Sequence, residues 1–152
     1  MYCKKLPTYC ILSLLLITLS CSEDSPPLPD NSVGFDTTVY RIPQNEVETV
    51  IKLILARETE SENELIIDYS ATGMEYGKTF ITEPEAIRNR ITLPLTLGAS
   101  ETSFKLIKVT DFGDTENPTL TLTIKAGKPP VVPGKNAVLQ IKFDLPETDT
   151  DK

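Results

Sequence analysis

The chain of 152 residues contains no histidine and no tryptophan, and only three cysteines. Without histidine, Ser-His-Asp and Cys-His nucleophilic catalysis are excluded, as are His-ligated zinc and haem. Positive charge is in short supply: 15 Lys and Arg stand against 22 Asp and Glu, a net charge of −7. This balance argues against nucleic acid as a partner, because neutralising phosphates needs clustered Lys and Arg. Aromatic residues make up only 7% of the chain. What is present reads as globular: 39% hydrophobic residues, a mean hydropathy of −0.12 and a length suited to one domain.

The first residues read as an address. Lys4 and Lys5 precede an apolar run over 11–19 that is interrupted only by Ser13 and Thr18. A transmembrane helix needs about 20 apolar residues, so this shorter run fits an export signal over 1–20. Ser20 and Cys21 follow, then Ser22, Glu23, Asp24 and Ser25. This stretch resembles a bacterial lipoprotein signal of the Bacteroidota type. Thr18 stands where the usual lipobox has Leu, with Leu19 one place late. The resemblance implies a lipid on Cys21, an outer-membrane location and, from the acids after the Cys, display on the cell surface. The alternative is ordinary cleavage that releases a free secreted domain. Cys3 and Cys10 would leave with the signal, and an acylated Cys21 forms no disulfide, so the domain must rely on its core. Residues 21–32 carry Pro26, Pro27 and Pro29, which favour an extended tether of about 3.1 Å per residue.

Beyond residue 33 the apolar pattern has a period of two. Leu65, Ile67 and Tyr69 alternate with polar neighbours, as do Ile91, Leu93 and Leu95, then Leu120, Leu122 and Ile124, then Leu139, Ile141 and Phe143. Ile51, Leu53 and Leu55 line one face of 47–56, where Val, Ile and Thr content favours strand over helix. Residues 39–42 and 104–109 are further apolar runs. Seven short strands, each with one buried face, predict an all-β, two-sheet antiparallel sandwich of immunoglobulin-like type over 33–145. Residues 146–152 read as an acidic tail. Pro94 cannot donate to a ladder, so its strand is expected at a sheet edge or bulge. Residues 83–89 suggest a short helical turn, with Pro84 at a first helical position.

Four segments resemble the Calx-β family. These are Tyr40-Arg41-Ile42-Pro43 with the following VIKLIL, the stretch from Tyr69 to Phe80 (YSATGMEYGKTF), the run ITLPLTLGASETSFKLIKVTDFGDTENPTLTLTI, and Gly134-Lys135-Asn136-Ala137 leading into VLQIKF. The resemblance implies an immunoglobulin-like sandwich with Ca²⁺ at one end, held by loop carboxylates. Carried onto this sequence, the expected ligands are incomplete. Gln44 stands at the first acidic position, with Glu46 nearby, and Thr79 stands at the aspartate expected before Phe80. Asp111, Asp114, Glu116 and Asp144 remain, with Glu147 behind. Ca²⁺ wants six to eight oxygens, several of them charged. The expectation is either no cofactor or weak Ca²⁺ binding. The competing reading of 111–116 is a solvated turn in which Gly113 supplies a positive φ.

Other candidates carry less chemistry. Asp68, Glu75, Glu83 and Glu85 could pair as glycosidase carboxylates, but no signal marks any of them as buried. No nucleophile elbow or Ser-x-x-Lys motif accompanies the serines and lysines. Tyr69, Tyr76, Phe80 and Phe104 form either a sugar-binding platform or core filling. Val131 and Val132, in the Pro-rich loop 127–136, form either an apolar ridge for a partner or part of a stiff surface loop. The expected function is a non-enzymatic binding or adhesion module of the cell envelope, membrane-tethered, whose partner is an envelope protein or a glycan. The alternatives are a domain stiffened by weakly bound Ca²⁺ and a weakly specific enzyme of glycan breakdown.

Overall fold

The computed structural model describes residues 30–110, 112, 117–127 and 131–144. Cys21 and most of the tether, Asp111, Gly113, Asp114, Glu116 and the acidic tail with Glu147 lie outside the described residues.

The period-two segments form strands because each alternation gives a strand one face to bury. In Glu48–Leu55 every second residue, from Thr49 to Leu55, is buried, and those between are exposed. The ten strands among the described residues are β1 (Asn31–Phe35), β2 (Val39–Ile42), β3 (Glu48–Leu55), β4 (Asn63–Thr72), β5 (Phe80–Glu83), β6 (Arg90–Leu95), β7 (Glu101–Lys108), β8 (Thr119–Gly127), β9 (Val131–Pro133) and β10 (Val138–Phe143). They build two five-stranded sheets, in the orders β5-β7-β3-β1-β9 and β2-β10-β8-β4-β6.

The expected two-sheet sandwich forms, with three strands more than the periodicity indicates. The additional ones, β1, β5 and β9, have five, four and three residues. That is too short for alternation to stand out. β1 begins at Asn31, so its first two residues fall within the stretch read as tether. The ladders are not uniformly antiparallel. β1 pairs in parallel with β9, and β2 in parallel with β10. The chain crosses between the sheets over 36–38, so consecutive strands β1 and β2 lie in different layers.

The inner faces fill the space between the sheets. Leu53, Leu65, Ile67, Phe80, Ile91, Leu120, Leu122, Leu139 and Ile141 are fully buried. Each such side chain contributes about 1.5–3 kcal/mol relative to exposure. Pro94 lies in β6, the edge strand of its sheet, as the missing N–H requires. No helix forms over 83–89. Ile87 and Arg90 exchange backbone hydrogen bonds at 2.8 and 3.1 Å. Arg88 and Asn89 between them take positive φ values of 53° and 62°, as a two-residue hairpin turn demands. Hairpin geometry overrides the helical signal of Pro84.

Candidate functional site

One end of the sandwich gathers the segments that the sequence marks for chemistry. The β2–β3 connection is closed by a turn from the Glu46 amide to the Pro43 carbonyl at 3.0 Å. It is joined to β7 by the Lys108 amide, which donates to Val47 at 2.8 Å. The 75–79 turn reaches the same place: the Val109 amide donates to the Thr79 carbonyl at 2.9 Å, and the Thr110 hydroxyl to the Lys78 carbonyl at 3.1 Å. The Asp144 amide donates to the Ile42 carbonyl at 3.0 Å. The Phe112 ring sits 4.6 Å from that of Phe143, which places Phe112 at the same end.

The described acids at this end already have partners. Asp144 faces Arg41 at 3.7 Å, with both side chains largely exposed. Glu75 accepts from Lys78 Nζ at 2.8 Å. Glu46 accepts the Thr49 hydroxyl at 2.9 Å. Thr79 takes over the turn-closing role at the position where an aspartate was expected. Its hydroxyl accepts the Glu75 amide at 2.8 Å and donates to the Glu75 carbonyl at 2.9 Å. The Gln44 carbonyl accepts the ammonium of Lys108. Among the described residues no three Asp, Glu, His or Cys side chains come together as a metal cluster. The described donor set therefore does not fit Ca²⁺: its carboxylates are neutralised by side-chain cations or bound by a hydroxyl. Of the four predicted ligands only Asp144 is described, and it is ion-paired.

Of the aromatic candidates, two are core and two, Tyr69 and Tyr76, are half-buried against it. Phe80 and Phe104 are buried. Tyr69 stacks on Tyr76 at 5.8 Å, and Phe80 meets both rings edge-on at 5.6 and 5.4 Å. Burial, with Tyr76 alongside, pushes the Tyr69 phenol above its ordinary range. The Tyr76 hydroxyl accepts the Ala86 amide at 2.9 Å and lies 3.4 Å from the Thr82 hydroxyl, which itself donates to the Pro84 carbonyl at 2.8 Å. Tyr76 thus holds the 83–89 hairpin through its hydroxyl. The proposed Val131–Val132 ridge is corrected as well. Val131 is buried, because β9 pairs with β1 and turns that side chain into the core, while Val132 is half-buried.

The glycosidase candidates do not converge as an acid pair. Asp68 takes a 2.8 Å hydrogen bond from Arg90 Nε, which holds its carboxyl below the usual value. Glu75 is bound to Lys78, and Glu83 and Glu85 are exposed. At the opposite end a hollow of about 10 Å³, room for one water, lies among Asn31, Arg57, Thr59, Asn63 and Val131.

Sequence reasoning overlooked two features. Lys108 ends β7, and no motif marks it. An open groove at the loop end is lined by Gln44, Asn45, Val47, Lys108, Val109 and Thr110. In it Val47 and Val109 are 59% and 46% exposed. A valine at the end of an alternating run carries no sign of whether its face is covered.

No family model and no curated protein matches the chain. Solved structures do. The apo form of the Calx CBD1 domain superposes with a TM-score of 0.61 at 11% identity, over 75% of this chain and 96% of that one. The fold is the one the Calx domains share. The Calx CBD2 domain gives 0.56 at 11% identity, over 74% and 85% of the two chains. The calcium binding domain CBD12 of CALX1.1 gives 0.59 at 12% identity, over 74% of this chain and 44% of that one. Likeness at identities this low shows the fold alone and leaves the loops to be judged on their own residues.

Proposed function

We propose that this chain is a non-catalytic binding module of the cell envelope, held to the outer membrane by a lipid on Cys21 and displayed at the surface. The domain would contact an envelope protein or a glycan through its loop end. The observation that carries this reading is the open groove where Val47 and Val109 stand exposed beside the Gln44 and Asn45 amides and Lys108. Exposed aliphatic side chains rimmed by polar groups suit a partner surface. The described carboxylates are tied in ion pairs or scattered on the surface, which gives acid–base chemistry no assembled site. The Calx likeness supports a module that works by binding. Its calcium-binding members motivate a second reading, weak Ca²⁺ binding with stiffening of the loops, for which Asp111, Asp114 and Glu116 would have to supply most of the charge.

Capture from intact cells tests the first reading. The full-length protein is expected to recover a specific partner or glycan, and a Val47→Asp, Val109→Asp double variant to lose it. Recovery of nothing specific would count against the module. Mass analysis of the mature amino terminus tests the anchor: an acylated Cys21 is expected, and an unacylated product in the medium would remove the tether. Calorimetry with millimolar Ca²⁺, comparing the wild type with Asp111→Asn and Asp114→Asn, separates the second reading.

A further inference from the structure

At the loop end a cation of the chain itself joins two segments. The Lys108 ammonium donates to the backbone carbonyl of Gln44, on the β2–β3 connection. The amide of the same residue donates to Val47 at 2.8 Å, so one residue of β7 grips that connection at two points. A positive charge that accepts no hydrogen bonds and gathers carbonyl oxygen does there what a divalent ion does for loop oxygens. The residue is partly exposed and the contact itself lies at the surface, so its hold comes from joining the two segments at two points. Nearby, the Lys78 ammonium binds Glu75, and the Thr110 hydroxyl binds the Lys78 carbonyl, so these two described oxygens are also satisfied from within the chain. A divalent ion entering here would meet a like charge and would have to displace it.

We propose that Lys108 is the resident cation of this loop end, holding the β2–β3 connection on β7, and that the order of this end therefore does not depend on a divalent metal. The role is one of positioning, and it stands apart from partner binding: its test reads loop order, whereas the test of the binding module reads capture.

Amide exchange and melting of the full chain decide it. In the wild type, melting in EDTA and in millimolar Ca²⁺ is expected to agree within about 1 °C, since an ion that does not bind the folded state adds no stability. Lys108→Met is expected to speed exchange of the Glu46 amide, whose turn rests on the held loop, by about tenfold, the weight of one charged hydrogen bond. Lys108→Arg, which keeps the charge and the donors, is expected to restore most of the protection. Unchanged exchange in Lys108→Met overturns the proposal. So does a saturable rise in wild-type melting temperature with Ca²⁺, which needs no variant and stays decisive if Lys108→Met does not fold.

Discussion

The hydroxyl of Tyr76 takes the amide proton of Ala86 across ten residues of chain, at 2.9 Å. Ala86 is buried, so the contact satisfies an N–H that water does not reach. Tyr76→Phe keeps the ring stack with Tyr69 and leaves that donor unpaired. A loss of about 1–3 kcal/mol is expected in urea unfolding, with partner capture unchanged. An equal loss of capture would restore Tyr76 as a binding residue.

Thr59 fastens the opposite end. Its hydroxyl donates to the Thr96 carbonyl at 2.5 Å and accepts the Ala99 amide at 2.9 Å, and its backbone exchanges bonds with Ala99 and Gly98. The residue is buried. Thr59→Val keeps the shape and removes both side-chain bonds. Chemical denaturation should show a destabilisation of about 1–3 kcal/mol, while Ser at this position should recover most of it.

The Asp68–Arg90 pair links neighbouring strands β4 and β6. The bond from Arg90 lowers the Asp68 pKa from its ordinary 3.8. A lowered folded-state pKa means that the pair contributes in full above the unfolded value and is lost as pH falls through the lowered one. Asp68 is one-third exposed and Arg90 half exposed, so the contribution is small and weakens in salt. Stability measured against pH should fall on acidification below about pH 4, and Asp68→Asn should flatten that limb. An unchanged acid limb in the variant would assign it to other carboxylates.

Gly98 adopts φ +78°, in the turn that leads from β6 to β7. A side chain there meets no neighbouring atom within 4 Å, so any cost is one of backbone strain alone. Gly98→Ala should destabilise by about 1–2 kcal/mol, and Gly98→Asn by less, because Asn tolerates the left-handed region. Thermal melts of the two variants check the order.

Five of the ten strands were legible because each is long enough to alternate, one buried face forcing that alternation, and β2 and β7 were legible as apolar runs. The edge placement of Pro94 was legible for a local reason, its missing N–H. β1, β5 and β9 were not, since short strands interrupted by Gly34, Thr82 or Pro133 show no clear pattern and are fixed by the ladder that receives them. The short helix suggested at 83–89 failed because Arg88 and Asn89 close a hairpin, a demand set by the strands on either side. At the candidate site, spacing gave the loops but not their occupants. Val131 looked like a surface ridge until β9 was placed beside β1, and Lys108 carried no motif.

The amino-acid order by itself settled the class of the body, two pleated layers around an aliphatic interior, because the burial of alternate residues is written in the chain. It also removed histidine chemistry outright. Only the assembled sandwich decided which side chains meet across dozens of residues: Tyr76 with Ala86, Lys108 with Gln44, Arg41 with Asp144. Such pairings depend on how the sheets stack and which strand ends share a loop cluster, and distances of that kind are properties of packing that no local pattern encodes.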